Sequence, residues 1–352
     1  MSGRKCIGVA KAAPYFCGEG GGGNSLESIL AVCETAGLGQ VFLAYVYHIF
    51  MEEKKMNYVE FQEQIMVALS EQLPEGTTVT TKTVLKNNDV ERAGLIIVWK
   101  DSNLSPVLYL DYYYAMYEDG RDFSEVVNEM REVCMQNQVK QDFDTTFFTD
   151  WSMAREKITF KLVNFKENKR MLEQMPHRKF LDLAIVYQYM VEAKNDGVAS
   201  IIINNFHMES WNVREADLYE CACRNYPRMM PVTVKSMNQL LGELFEQDIE
   251  DVPGDVLLDS AQMYIVTNKS LHNGAASMLF FKEIKENYEV FQQDLYILPS
   301  SVHEILVLPQ MLGNVDELRQ MVCEVNETLK KEDRLSNQVY RYCCGSGIIE
   351  IA

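Results

Sequence analysis

The stretch DLYILPSSVHEILVLP, residues 294–309, decides how the rest of the chain is read. Two apolar runs, Leu295–Leu298 and 305–308, flank a short polar centre. Each run has the length of a buried strand, and a proline closes each one. Pro299, Ser300 and Ser301 supply the turn between them. Unbroken apolar runs are buried on both faces and so belong to central strands. Alternate residues point to opposite sides, and Ile297, Ile305 and Val307 are expected on the deeper side. Working outward, helical and strand-like segments are intermixed, and the chain reads as α+β. A mixed or antiparallel sheet with helices packed on it is expected.

The chain has 352 residues, 47% of them hydrophobic, enough for a large core in one or two domains. Charged residues make up 24%, an ordinary globular share. The 51 Asp and Glu against 33 Lys and Arg leave a net charge of −18. Such a surface is repelled by phosphate backbones, which argues against direct nucleic-acid binding. It suits solubility, or a basic protein partner. Nine cysteines at irregular spacings read as reduced thiols, not as a disulfide framework. No run of 18 apolar residues occurs, so no membrane helix is expected. The N-terminus does not fit a secretory signal. A cytoplasmic protein is the expectation.

Residues 1–50 lack a clear period and carry a glycine run at 20–23. They are followed by Met51-Glu-Glu-Lys-Lys-Met56. Purine-rich Glu and Lys codons before Met56 resemble a translated ribosome-binding site. Residues 1–55 are therefore expected to be a mis-translated or disordered extension. A first module, 56–145, reads as helix, hairpin and helix. Tyr58, Phe61, Ile65, Leu69 and Leu73 recur at helical spacing. Segments 77–85 and 94–99 form a hairpin around Lys86-Asn-Asn-Asp89, and a helix spans 123–135. The aromatic run 106–117 is open between helix and strand.

A second module, 146–352, is expected to hold strands at 158–165, 183–191, 199–204 and 263–267. Helices are expected from Trp211 to about Asn225, ended by Pro227, and over 237–245, 279–291 and 315–329. A terminal hairpin closes the chain at 339–343 and 348–351. The two modules are candidates to share one sheet or one core.

Four segments, SPVLYLDYYYAMYEDG, VREADLYECACRNYPRMMPVTVKSM, MYIVTNKSLHNGAASMLF and DLYILPSSVHEILVLP, occur in this order. On them the chain, over roughly 57–352, resembles a family from clostridial gut bacteria catalogued as a domain of unknown function. It is more distantly similar to the YtpQ-like proteins of Gram-positive bacteria. Neither family has an assigned activity, so the resemblance implies no site residues.

Ser301, His303 and Glu304 have the residue types of a nucleophile, a base and an orienting carboxylate. A hydrolase pocket near Ser300 and Glu304 is therefore the alternative function. Against it, triad members converge from separate elements, no glycine-flanked nucleophile elbow surrounds either serine, and Ser301 and His303 would lie extended along one strand. Cys221-x-Cys223, Cys343-Cys344 and His207-x-Glu209 match no metal-ligand spacing. His177, read as a loop residue, and His272 stand isolated. The 18–23 glycines lack a following Gly-Lys-Ser/Thr, and no cofactor is expected. Tyr112 and Tyr113 sit in a tyrosine-rich, acidic segment suited to docking a partner. Residues 101–130 hold seven acids and one Arg, and 236–268 seven acids and no cation. Asn268, Lys269 and Ser300 complete the candidate ligand-binding residues. The expected function is a non-catalytic binding or interaction module.

Overall fold

The computed structural model describes residues 55–100, 102, 105, 107–136, 138, 145–194, 197–245, 262–299 and 301–352. The chain divides into two compact units, 1–63 and 64–352. The expected extension before Met56 falls almost wholly outside the described residues, as do residues 246–261 of the acidic stretch 236–268.

Helix α1, Tyr58–Gln72, opens the described chain. Asn57 caps it, its Oδ1 accepting from the N–H groups of Val59 and Glu60 at 3.0 Å. Strands β1, Thr78–Leu85, and β2, Glu91–Val98, pair antiparallel. Short β3, Val107–Tyr109, adds to β2. The open aromatic run is thus both things in turn, because β3 passes directly into helix α2, Leu110–Glu118. Helix α3, Phe123–Gln136, buries Val126, Val127, Met130 and Cys134 at helical spacing.

The later chain builds two further antiparallel sheets. Helix α4, Trp151–Ala154, precedes β4, Ile158–Asn164. After α5, Lys169–Glu173, come β5, His177–Phe180, β6, Leu183–Lys194, and β7, Gly197–Ile202. Strand β6 pairs with β4 on one side and with β5 and β7 on the other. His177 therefore starts a strand and is not in a loop. The polar sequence of β5 hides this, since its partner β6 supplies the pairing.

The helix expected from Trp211 is two helices. Helix α6, Asn205–Trp211, ends at Asn212, which takes the left-handed conformation at φ 53°. Helix α7, Glu215–Met229, then starts from Arg214. Pro227 lies inside α7 rather than ending it. The buried Tyr226 and Met230 hold this last turn on the core, and Met230 N–H still bonds Tyr226 C=O at 2.8 Å.

Strand β8, Val232–Ser236, helix α8, Met237–Phe245, and β9, Tyr264–Asn268, follow. The helix expected over 279–291 is also broken. A 3-10 segment, Gly274–Phe280, leads into α9, Phe281–Asn287, and extended backbone at Tyr288 stops it. Phe281, Ile284 and Phe291 are nonetheless all buried, so burial there does not need one continuous helix.

Strands β10, Leu295–Leu298, and β11, Ile305–Pro309, form the hairpin expected from residues 294–309. After α10, Val315–Thr328, the strands β12, Tyr340–Cys343, and β13, Ile348–Ile351, end the chain. The six-stranded order is β13-β12-β10-β11-β9-β8, which puts the hairpin at its centre. Leu295, Ile297, Ile305 and Val307 face the main core with β4, β6, α7 and the 274–287 segment. Tyr296, Leu298 and Leu308 face the other way, against Leu318 and Val322 of α10. Both faces are covered, the arrangement an unbroken apolar run requires.

The β1-β2-β3 sheet is separate from the other two, so one sheet is not shared. Contact is made by the end of β1 and the β1–β2 loop instead. Leu85 packs against Val163, Met171, Leu172, Ala184 and Val186. Asn88 Nδ2 donates to the carbonyls of Lys331 and Arg334 at 2.6 and 2.8 Å.

Candidate functional site

The residues singled out around the central hairpin meet at its tip. Asn268, at the end of β9, is fully buried. Its Nδ2 donates to His272 C=O at 2.8 Å. Its Oδ1 accepts from Ser270 N–H at 3.1 Å, Ser270 Oγ at 2.8 Å and His272 N–H at 3.3 Å. The amide is therefore used in shaping the 268–273 loop, where Leu271 and Asn273 take positive φ. Lys269 is exposed, and its N–H bonds Pro231 C=O at 2.9 Å. Gly274 admits the close approach that follows. A Cβ there would lie 2.1 Å from Thr267 Oγ1 and 2.4 Å from His303 C=O.

Ser301 and His303 lie in the hairpin turn, not along a strand face as expected. Four residues of turn fold back on themselves here: Ser301 N–H bonds Glu304 C=O at 3.4 Å, and His303 N–H bonds Ser301 Oγ at 3.0 Å. Ser301 is buried. His303 Nδ1 accepts from Asn273 N–H at 3.3 Å. That bond places the neutral ring's proton on Nε2, which faces Asp333 Oδ1 at 3.5 Å. Val302 N–H bonds Asp333 C=O at 2.8 Å and ties the turn to the Lys331–Asp333 segment. Ser301 and His303 are thus neighbours without a hydroxyl-to-imidazole bond. The carboxylate of Glu304 engages neither of them. Ser300 lies outside the described residues.

Three further groups bear on this place: His272, Lys161 and Asp333. The His272 ring lies 5.3 Å from that of His303, centroid to centroid. Burial lowers the pKa of His272, and His303 and Lys161 lower it further, while Asp333 opposes them. Lys161, inside the apolar strand ITFKLVN, has its pKa lowered to about 8 by burial and by Lys86. A lysine within such a strand was the one sequence signal for it. Nothing local marked Asp333.

A polar cavity of about 340 Å³ lies against the 331–338 segment, lined by Asn88, Asn164, Lys166, Asp182, Lys331 and Arg334 among others. Several of its polar groups are hydrogen-bonded. Asp182 accepts from Ser336 Oγ at 2.6 Å and Tyr340 Oη at 2.8 Å. Asn164 Nδ2 donates to Leu335 C=O at 2.9 Å, and Arg334 Nε to Leu329 C=O at 3.1 Å.

The tyrosine pair on α2 is split. Tyr112 is 63% exposed while Tyr113 is buried, their rings meeting edge to face at 5.3 Å. Burial raises the pKa of Tyr113. Cys221 is buried and accepts from Arg224 at 3.3 Å, and Cys223 is half-buried. His207 caps α6, its Nδ1 accepting from Asn204 N–H at 3.1 Å. Among the described residues no group of three or more His, Cys, Asp or Glu could hold a metal ion, and no helix is long and apolar enough to cross a membrane.

Neither a curated protein nor a solved structure matches the chain. A match does extend over residues 58–343, from α1 through β12 and so across all three sheets, to the family of unknown function DUF5688. The chain belongs to that family.

Proposed function

We propose that the chain is a non-catalytic binding and interaction module of the cytoplasm, which docks a basic protein on the acidic face of α2 and α3. The observation that carries this reading is the exposed ring of Tyr112 on α2, in a segment rich in exposed acids. Glu118, Asp119, Asp122 and Glu125 are all exposed. The one arginine among them, Arg121, is paired with Glu129 at 2.5 Å. An exposed aromatic anchor with exposed acids suits a cationic partner. The bonds of Ser301 and His303 support binding over hydrolysis, because neither presents its reactive atom to the other. The six described cysteines are free thiols, which suits a reducing compartment. The bacterial origin suggested by the resemblance, and division at about residue 145 into two modules, belong to the same proposal.

Calorimetric titration with oligolysine tests it. The wild type is expected to bind, and added salt to weaken the binding. Asp119→Asn and Glu125→Gln are each expected to weaken it about two- to fivefold, in line with exposed charge pairs. Tyr112→Ala is expected to weaken it as well. Unchanged affinity in all three variants overturns the reading. Ester hydrolysis that is lost in Ser301→Ala would favour the hydrolase instead.

A further inference from the structure

The cavity against residues 331–338 holds about 340 Å³, the size of a small-molecule site. Its walls come from four separate stretches: Asn88 of the β1–β2 loop, the end of β4 with Lys166 and Glu167, Asp182 of the β5–β6 turn, and the stretch from Lys331 to Gln338. Hydrogen bonds between these stretches hold the walls in place. Asn88 Nδ2 donates to the carbonyls of Lys331 and Arg334, Asn164 Nδ2 donates to that of Leu335, and the Ser336 and Tyr340 hydroxyls donate to Asp182. Buried Asn326 adds bonds from its Nδ2 to Ser336 C=O at 2.9 Å and Asn337 Oδ1 at 2.7 Å. Leu181, just before Asp182, is held at a φ of 55°, which a leucine side chain does nothing to favour. Backbone held this way gathers at ligand sites. Walls fixed before anything enters lose little freedom on binding.

The groups left over on these walls select the occupant. Lys166, Lys331 and Arg334 stand against Glu167 and Asp182, three cations to two acids in a chain of net charge −18. Lys166 and Lys331 are exposed, and neither ammonium forms a hydrogen bond or an ion pair among the described residues. Arg334 is held by its Nε and Nη2 on the carbonyls of Leu329 and Glu327, which leaves Nη1 unused. Asp182 is already shared by two hydroxyls. The Glu167 carboxylate and the Gln338 amide make no hydrogen bond among the described residues. The first can accept from a hydroxyl, and the second can accept and donate. Cationic donors beside neutral and acidic acceptors fit a ligand with one anionic group and several hydroxyls.

We propose that this cavity binds a small hydroxylated organic anion, a sugar phosphate or a sugar acid. Lys166, Lys331 and Arg334 take the anionic group, and Glu167 and Gln338 take hydroxyls. The site shares no residue with the acidic face of α2 and α3, and its test reads neither Tyr112 nor oligolysine.

The experiment is calorimetric titration of the full chain with glucose 6-phosphate, gluconate and neutral glucose at one fixed ionic strength. At least one of the two anions is expected to bind, and glucose to bind at least about tenfold more weakly. Tighter binding of glucose 6-phosphate assigns the site to a phosphate group, and tighter binding of gluconate to a carboxylate. Lys166→Gln and Lys331→Gln change exposed side chains and are each expected to weaken the anion about threefold, in line with exposed charge pairs. Lys282→Gln removes an exposed lysine that does not line the cavity, and is expected to leave the affinity unchanged. No binding of either anion up to about 10 mM overturns the proposal. So does glucose binding as tightly as the anions, or undiminished affinity in both cavity variants. An equal loss in Lys282→Gln overturns it as well, since the effect would then belong to net charge and not to the cavity.

Discussion

Asn88 and Asn168 hold each other across 80 residues of chain. Asn88 N–H donates to Asn168 Oδ1 at 2.7 Å, and Asn168 Nδ2 returns a bond to Asn88 Oδ1 at 2.8 Å. Both residues are buried. Asn88 takes a left-handed φ of 57°, which asparagine tolerates better than most residues. The β1–β2 loop is thereby fixed to the loop before α5, and through Asn88 Nδ2 to the 331–334 segment.

Asn168→Ala leaves the Asn88 N–H buried without an acceptor. A loss of about 1–3 kcal/mol is expected for that one group. Asn88→Gly keeps the backbone conformation but removes the bonds to Lys331 and Arg334, and is expected to destabilise comparably. Urea unfolding followed by tryptophan fluorescence checks both. Losses within about 0.5 kcal/mol, the range of ordinary surface substitutions, would show that the contact is dispensable.

The central hairpin separates packing from turn chemistry. Ile305 is fully buried in the main core, and Ile305→Ala is expected to cost about 2–5 kcal/mol. Ser301 is more than a turn residue, since its Oγ accepts from His303 N–H. Ser301→Ala is expected to cost about 0.5–1.5 kcal/mol, the net worth of one hydrogen bond. Paired denaturant melts decide this, and equal small losses would contradict the central position of β11.

Gly274 and Gly345 make a second pair. A Cβ on Gly274 would lie 2.9 Å from Asn268 N and 2.4 Å from His303 C=O, both backbone atoms. Gly274→Ala is therefore expected to cost at least about 1–3 kcal/mol, as overpacking does. Around Gly345 no atom lies within 4 Å of the added Cβ. Gly345→Ala is expected to leave the melting temperature unchanged, and thermal unfolding monitored by circular dichroism compares the two.

Lys161 gives a pH dependence with a definite sign. Its pKa falls from 10.5 to about 8 in the folded protein. Between those values the unfolded chain holds the proton and the folded chain has released it, so stability rises with pH. Below about pH 8 both states are protonated and the burial penalty is felt in full, at most about 3 kcal/mol. Lys161→Met is expected to be more stable than the wild type at pH 7, with the difference shrinking toward pH 10. Cys134, whose pKa burial raises to about 11, works in the opposite direction. It is common to both proteins and cancels in the comparison. A difference in stability that does not change from pH 7 to 10 would contradict a withdrawn ammonium.

Most of the fold was legible in the sequence wherever an element carries its own pattern. The runs 295–298 and 305–308 could only be central strands, because nothing polar in them can face water. The stripe of Val126, Val127, Met130 and Cys134 marked α3 in the same way. Elements that borrow their stability were not legible. Strand β5 is His-Arg-Lys-Phe and exists because β6 offers its backbone. Helix α7 runs past Pro227 because Tyr226 and Met230 are buried beneath it.

The candidate site divides along the same line. Ser301, His303 and Asn268 stood out by residue type, and they do meet at one end of the sheet. What each atom does there was decided by tertiary structure. The ring of His303 is turned by the Asn273 N–H, and the amide of Asn268 is consumed by its own loop. Tyr112 and Tyr113 are adjacent in sequence, and only the packing of α2 puts one in water and the other in the core. Periodicity and composition act through local backbone geometry and the apolar surface of each segment, so the sequence by itself determined the α+β class and its central strands. Lys161, His272 and Asp333 are brought together over more than 170 residues of chain, and only the three-dimensional meeting of β4, the 268–273 loop and the Lys331–Asp333 segment sets their charges against one another.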